Sequence, residues 1–317
     1  MEGTAAIVVA GLTKTFTTGR GRRRRPVEAV RAISFTVEAG ERLAYIGPNG
    51  AGKSTSIKIL TGILHASDGN AQVLGLVPWL DRRRLTRRIG TLFGQRSQLW
   101  FELTARQSFH MLAAIYGLDR GQEARRIAQL AELLEAGDLF EVPVRNLSLG
   151  QRMRCELAAC LLHEPDILFL DEPTIGLDLL AKQRFRELLV RLNAEQGTTI
   201  FLTSHDVADI EQVARRAIVI NHGAVIYDDE VAAMRRSLLS TKLIEVGLER
   251  PADAVALAGV TVVEQSPTAL KLVVDTTVTS VRDVLDRLLD HCAVADISVV
   301  DPPLEEVIAE IYASPRA

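Results

Sequence analysis

The run GPNGAGKST, residues 47 to 55, narrows the fold of this 317-residue chain more than any other stretch. Gly47, Gly52, Lys53 and Ser54 fit the phosphate-loop pattern G-x-x-x-x-G-K-[ST]. The apolar run ERLAYIG stands before it, and KSTSIKILTGIL after it places Ile57, Leu60 and Leu64 at i, i+3 and i+7. A strand, a glycine turn and a helix are therefore expected in that order. The glycines let backbone N–H groups close around phosphate oxygens, and the helix start adds the positive end of its dipole. Lys53 is expected to hold the β- and γ-phosphates, and the Ser54 hydroxyl to ligate Mg²⁺. A chance glycine-rich turn would lack this context.

The rest of the chain suggests what surrounds the loop. Residues 5 to 16 and 29 to 38 read as strands, joined by the arginine run RGRRRRP. From about 104 to 162 the pattern is helical, with GLDRGQEARR and EAGDLFEVPV as interruptions. Beyond that, DILFLDE, TTIFLTS and RAIVINHG read as buried strands separated by helices over 180–195 and 206–214. Such alternation predicts an α/β fold with a mainly parallel sheet covered by helices. Near residue 236 the texture changes. KLIEVGLE, VTVVEQS and ALKLVVDT read as short strands, SVRDVLDRLL as a helix, and DISVVDPPLEEVIAEIY as a strand followed by a helix. We therefore expect one domain over 1–236, with a helical subdomain over about 96–162, and a small C-terminal α+β accessory domain over 237–317.

Composition removes several classes. A net charge of −3 with pI about 6.1 does not suggest a nucleic-acid binder. No apolar run approaches the roughly 18 residues that span a bilayer, and the N-terminus shows no basic-then-apolar signal region, so a cytosolic chain is expected. Cys155, Cys160 and Cys292 stand at no ligand spacing and are expected as reduced, buried thiols. Arg20, Arg22, Arg23, Arg24 and Arg25 form either a solvated loop or, if the protein lies against a membrane, a contact with anionic headgroups.

Two further strand ends carry chemistry. ILFLDEP ends in Asp171, suited to a water-mediated Mg²⁺ contact, and in Glu172, suited to orienting and deprotonating an attacking water. TIFLTSHD places His205 after another apolar strand. Adjacent parallel strands deliver their C-terminal ends to one crevice, so His205 could meet the γ-phosphate there and stabilise transition-state charge. Gln95 in LFGQRSQLW could touch both Mg²⁺ and the water. The adjoining Trp100 and Phe101 suit either core packing or a docking surface.

The order of these pieces resembles the ATP-binding cassette of ABC transporters. A phosphate loop is followed by Gln95, LSLGQ, Asp171, GLD at 176 to 178 and His205, and the likeness covers about residues 7 to 230. It implies an ABC-type P-loop NTPase fold with a mainly parallel core, an antiparallel β subdomain and a helical subdomain. It also implies ATP and Mg²⁺ as cofactors. Gly47, Pro48, Asn49, Gly50, Ala51, Gly52, Lys53, Ser54 and Thr55 would bind the phosphates, and Phe16 stands where an aromatic, more commonly tyrosine, stacks on adenine. Ser148, Gly150 and Gln151 match the signature motif, and Asp178 matches the acid of the loop crossing the dimer interface. Cassettes of this family pair head to tail, so each signature motif completes the other subunit's ATP site. A second copy or a related cassette is thus an expected partner. Transmembrane permease subunits are the other, with the chain held peripherally at the cytoplasmic face of the membrane.

The stretches FGQRSQLWFELT, LSLGQRMRCELAACLLHEPDILFLDEPTIGLD and PPLEEVIAEIY look like drug- and antibiotic-resistance exporter cassettes, whose permeases are separate chains of about six helices. Other readings are a soluble ABC ATPase acting on ribosomes or DNA, an importer cassette, and a nucleotide-gated scaffold. Ser148 and Gln151 form an S-x-x-Q capping box, which puts Leu149 at the first helical position. That position takes ordinary helical angles and needs no glycine. The Leu149 side chain is expected to point away from the phosphate, with packing on the facing subunit as one use.

Overall fold

Alternating apolar residues build an antiparallel pair from β1 (Ala5–Thr18) and β2 (Arg25–Glu38). Ile7, Val9 and Leu12 of one strand and Val30, Ile33 and Val37 of the other are buried. Both strands run further than the sequence pattern suggested, and Arg25 belongs to β2 rather than to a loop. The computed structural model describes residues 5–18, 25–93, 96–236, 241–251, 257–300, 308 and 311–312. Arg20, Arg22, Arg23, Arg24 and Gln95 lie outside the described residues, as does most of the expected helix over PPLEEVIAEIY.

β3 (Arg42–Ile46) opens a second sheet and is followed by α1 (Lys53–Leu60). The helix is shorter than KSTSIKILTGIL suggested, because Gly62 takes a left-handed φ of 73° and ends it after one cap residue. Leu64 lies beyond the helix, although it still packs on the same core. The chain returns to the first sheet as β4 (Asp68–Val73), giving the order β2-β1-β4.

After α2 (Arg82–Leu85) and β5 (Ile89–Phe93) comes a helical region of α3 (Ala105–Tyr116), α4 (Arg120–Leu133) and α5 (Leu149–Leu161). α4 begins inside GLDRGQEARR, which the sequence suggested as an interruption. Asp119 and Gln122 bond reciprocally as a capping box, and that starts the helix early. Phe109 and Phe140 meet edge to face at 4.8 Å in this core, beside the buried Leu130 and Leu157.

The chain then alternates through β6 (Ile167–Asp171), α6 (Leu179–Gln196), β7 (Thr199–Thr203), α7 (Val207–Val213), β8 (Arg216–Asn221) and β9 (Ala224–Glu230). The second sheet has the order β5-β6-β7-β3-β8-β9, with the β5–β6, β6–β7, β7–β3 and β3–β8 pairs parallel. Its central strands are continuous apolar runs because helices and the first sheet's core bury both faces. Tyr45, Phe169 and Phe201 pack across them with Phe35, their rings tilted against one another. Since β6, β7 and β3 are parallel neighbours, Asp171, Thr203 and Gly47 leave the sheet along one edge.

Chain contacts divide the protein into two units, Met1–Asp228 and Asp229–Ala317. The second contains α8 (Val231–Arg236), β10 (Thr241–Leu248), β11 (Val260–Gln265), β12 (Ala269–Asp275), α9 (Val281–His291) and β13 (Val294–Val300). Its four-stranded antiparallel sheet, ordered β11-β12-β10-β13, shares a core of Ile244, Val246, Leu272 and Val274 with Val284 and Leu288 of α9. Among the described residues, no helix is long and apolar enough to cross a membrane. Cys155 and Cys160 are buried free thiols, and burial pushes both up to about 12; Cys292 is free and half-buried.

Candidate functional site

The site is assembled where β3, β6 and β7 end. Gly47 must lie against β8: a Cβ there would stand 2.3 Å from the Ile220 carbonyl oxygen. Gly52 caps α1 with φ 111° and offers no side-chain acceptor, so the first N–H groups of the helix stay open to a ligand. The chain between them turns through Gly50 at φ 83°. Lys53 is 7% exposed and bends back over this loop. Its Nζ donates to the Gly47 carbonyl at 2.6 Å and to the Pro48 carbonyl at 3.4 Å.

The carboxylates of β6 close the other side. Asp171 Oδ1 accepts from Ser54 Oγ at 3.4 Å and from Thr203 Oγ1 at 2.7 Å. Glu172 has φ 55°, a backbone region costing a non-glycine residue roughly 1–2 kcal/mol. Its amide donates to both the carbonyl and the hydroxyl oxygen of Thr203, each at 3.1 Å, which holds the bend. The bend sets Glu172 Oε1 at 3.8 Å from Lys53 Nζ and Oε2 at 2.6 Å from His205 Nδ1. An ionised carboxylate only accepts, so Nδ1 carries the proton of that bond and the other ring nitrogen is free to face a ligand. His205 is 65% exposed.

A second group forms around the start of α5. The Ser148 amide donates to Gln151 Oε1 at 2.9 Å, and the Gln151 amide donates to Ser148 Oγ at 3.3 Å, which completes the capping box. Asp178 caps α6, accepting from the Ala181 amide at 2.8 Å. Ser148, Gly150, Gln151, Asp178 and Ala181 line one cleft, where a Cβ on Gly150 would approach Ala181 Cβ to 3.1 Å. Leu149 is half-buried on the core of its own chain, with Cδ2 at 3.0 Å from where a Gly176 Cβ would stand. It therefore has a packing role within one subunit, which the sequence did not reveal.

The structure thus brings Lys53, Ser54, Asp171, Glu172 and His205 together, and separately gathers Ser148, Gly150, Gln151 and Asp178. Among the described residues, no hydrogen bond or ion pair joins one group to the other. Phe16 stands on β1 with its ring exposed and Lys14 Nζ 5.1 Å from the ring centroid. Trp100 and Phe101 are exposed, 38% and 52%, which removes the core-packing alternative for both. Gln95, expected beside the metal, falls outside the described residues.

Sequence reasoning missed Thr203, which touches Asp171 and the Glu172 amide. It also missed four buried residues behind the site. Asp209 accepts from Thr174 Oγ1 at 2.6 Å, Ser204 Oγ at 2.7 Å and Arg186 Nε at 2.6 Å. Next to it, Asp206 caps α7 and accepts from Lys182 Nζ at 2.6 Å. Burial alone would raise the Asp206 carboxyl, but Lys182 and Arg186 outweigh that effect and hold it below the usual range. The run TSHD contained Thr203, Ser204 and Asp206 in plain view. Only the register of β6 against β7 shows which of them face the carboxylates.

Comparison with known proteins adds a family to this geometry. Residues 30–175 match the family described as "ABC transporter". The ABC transporter ATP-binding protein NatA of Bacillus subtilis (strain 168) is 34% identical over 70% of this chain and 89% of its own length. The daunorubicin/doxorubicin resistance ATP-binding protein DrrA of Streptomyces peucetius is 31% identical over 98% of this chain and 94% of its own. Among solved structures, the dimeric post-hydrolysis state of the ATP-binding cassette MJ0796, bound to ADP and Pi, covers 71% of this chain and 98% of its own, with a TM-score of 0.63 and 25% identity.

Proposed function

Because the chain belongs to the ABC transporter family of ATP-binding proteins, we propose that it is the cassette of an exporter, closing as a dimer on ATP beside separate membrane permeases. It is an ABC-type ATPase, converting ATP and water to ADP and phosphate. The observation that carries the catalytic part of the reading is the 2.6 Å bond between His205 and Glu172, set beside Lys53 and Asp171.

The amides of Gly50, Gly52, Lys53, Ser54 and Thr55 cradle the phosphates, while the Ala51 amide stays on the Pro48 carbonyl and Lys53 exchanges its carbonyl partners for the β- and γ-phosphate oxygens. Pro48, Asn49 and Ala51 shape that loop. Glu172 orients the attacking water and takes its proton. His205, steadied by Glu172 through Nδ1, turns its other nitrogen to the γ-phosphate and stabilises the charge that develops there. Phe16 offers the adenine a ring.

Ser54 Oγ and Asp171 Oδ1, 3.4 Å apart, are a pair of hard oxygens that fit Mg²⁺, which the Ser54 hydroxyl would hold directly and Asp171 by way of water. Gln95 belongs with them on the sequence reading. When bound, the ion offsets the negative charge of the phosphates.

Within one chain no hydrogen bond or ion pair among the described residues links Ser148, Gly150, Gln151 and Asp178 to the group around Lys53, which supports pairing. A second copy, or a related cassette, would present its own signature helix start to this subunit's γ-phosphate. ATP then favours the closed pair by differential binding, and hydrolysis releases it. The exposed Trp100 and Phe101 suit docking against permease subunits of about six helices each, with the chain lying peripherally on the cytoplasmic face of the membrane and no role for nucleic acid. Export is favoured by the relative named for daunorubicin and doxorubicin resistance, which aligns along nearly the whole chain.

Phosphate release by the purified chain tests the reading. With ATP and Mg²⁺ we expect steady turnover, and Lys53→Ala should lower it at least a hundredfold, the scale on which a preorganised charge contact acts. Turnover that survives Lys53→Ala would place the chemistry elsewhere.

A further inference from the structure

Asp209 touches none of the residues assigned to nucleotide, water or metal, yet among the described residues it is a fully buried carboxylate, 0% exposed. A buried carboxylate is retained only when donors satisfy it. Its three donors are not neighbours in sequence. Arg186 lies on α6, which follows the Asp178 loop. Thr174 lies two residues after Glu172, and Ser204 lies directly before His205. All three are themselves buried, at 3%, 4% and 1% exposed.

Asp209 therefore bonds on one side to the segment carrying Glu172 and on the other to the segment carrying His205. Oδ2 alone accepts both hydroxyls, at 2.6 Å from Thr174 and 2.7 Å from Ser204. The two residues that must stay 2.6 Å apart for the water to be held follow different strands, Glu172 after β6 and His205 after β7. Beyond those strands the Glu172 amide bonds to Thr203, and Asp209 adds a second tie between the two loops through Thr174 and Ser204. Arg186 neutralises the carboxylate and also reaches Asp206 at 3.1 Å, so α6 and α7 are clamped by the same charges.

We propose that Asp209 is a positioning residue for hydrolysis: its single buried carboxylate, bonded to Thr174 and Ser204, fixes the spacing between Glu172 and His205. The proposal rests on the catalytic reading of that pair. It predicts an effect on the chemical step rather than on nucleotide affinity, because none of the three residues belongs to the phosphate loop. It also predicts sensitivity to loss of one hydroxyl, since displacing a reacting group by about 1 Å costs on the order of a hundredfold in rate.

Replacing Arg186 would strand the Asp209 charge in the core, and replacing Asp209 would leave the buried Arg186 only Asp206, so either risks unfolding. The test therefore uses Thr174→Val and Ser204→Ala, which remove only hydroxyls, and Thr174→Ser, which restores one. Steady-state ATP hydrolysis by the purified full chain is measured alongside Glu172→Gln. We expect Thr174→Val and Ser204→Ala to lower kcat about tenfold with KM for ATP within about twofold of the parent, and Thr174→Ser to recover most of the loss. An unchanged kcat in both hydroxyl variants would overturn the proposal. So would a loss that falls on KM instead, or one that Thr174→Ser does not repair. If Glu172→Gln also turns over at the parental rate, the catalytic reading itself has failed, and the two failures are told apart in one experiment.

Discussion

Three glycines of the phosphate loop make different demands on the backbone, so replacing each with alanine should give three different costs. Gly50 has φ 83° with no atom within 4 Å of a Cβ built on it. Gly50→Ala should cost only the left-handed backbone penalty, roughly 1–2 kcal/mol. Gly47 has no positive φ, but its Cβ would press on the Ile220 carbonyl oxygen at 2.3 Å and on Ile220 Cγ2 at 2.9 Å. The carbonyl belongs to a buried strand and cannot swing aside, so Gly47→Ala should fall toward the top of the roughly 1–3 kcal/mol that overpacking costs. Gly52 combines both, with φ 111° and the Ala29 carbonyl oxygen 2.4 Å from its Cβ. Gly52→Ala should therefore cost about 2–5 kcal/mol, a large share of the roughly 5–15 kcal/mol that holds a typical domain folded. Urea unfolding of the nucleotide-free variants, followed on the transition of the first unit, reads these differences. The expected order of damage is Gly52, then Gly47, then Gly50. If Gly50→Ala is as damaging as Gly52→Ala, close approach to β2 and β8 is not what requires glycine here.

Two other substitutions probe the signature helix. Glu156 on α5 is 4% exposed, and burial raises its carboxyl despite hydrogen bonds from Ser97 and the Gln98 amide. The folded state then binds the proton more tightly than the unfolded one, so stability falls as pH rises from the ordinary glutamate value of about 4.3 through the raised one. Glu156→Gln should remove that dependence, and its melting temperature should gain on the parent's across that window and then level off; parallel curves would refute this. Leu149→Gly removes a half-buried packing contact and adds a flexible residue to a first helical turn. We expect roughly 1–3 kcal/mol of lost stability with ATP hydrolysis within a few-fold of the parent, and a collapse of turnover without unfolding would give Leu149 a role beyond packing.

What could be read from the sequence divides by distance along the chain. The phosphate loop, its strand and the start of its helix are contiguous, and each residue type follows from one local requirement. The end of that helix was misjudged because Leu64 continues the apolar spacing past Gly62, whose φ of 73° stops the helix. β4 escaped notice because DGNAQV buries only Ala71 and Val73, the residues paired with Val9 and Ile7. Asp171, Glu172 and His205 were visible as strand ends that share a crevice. The bonds that orient them were not. Asp209 lies 35 residues from Thr174, and nothing short of the β6–β7 register and the α6–α7 packing shows that they touch. Leu149 was judged by its own helix position alone, and its contact with Gly176 comes from a neighbouring loop.

On the proposed function, Glu172 serves the water while a second chain completes the ATP site. Both halves meet in Glu172→Gln, whose molar mass and phosphate release are measured with ATP and Mg²⁺ present. The variant is expected to bind ATP, stay dimeric and release almost no phosphate. Phosphate release at the parental rate, or a monomer that binds ATP fully, would contradict that function.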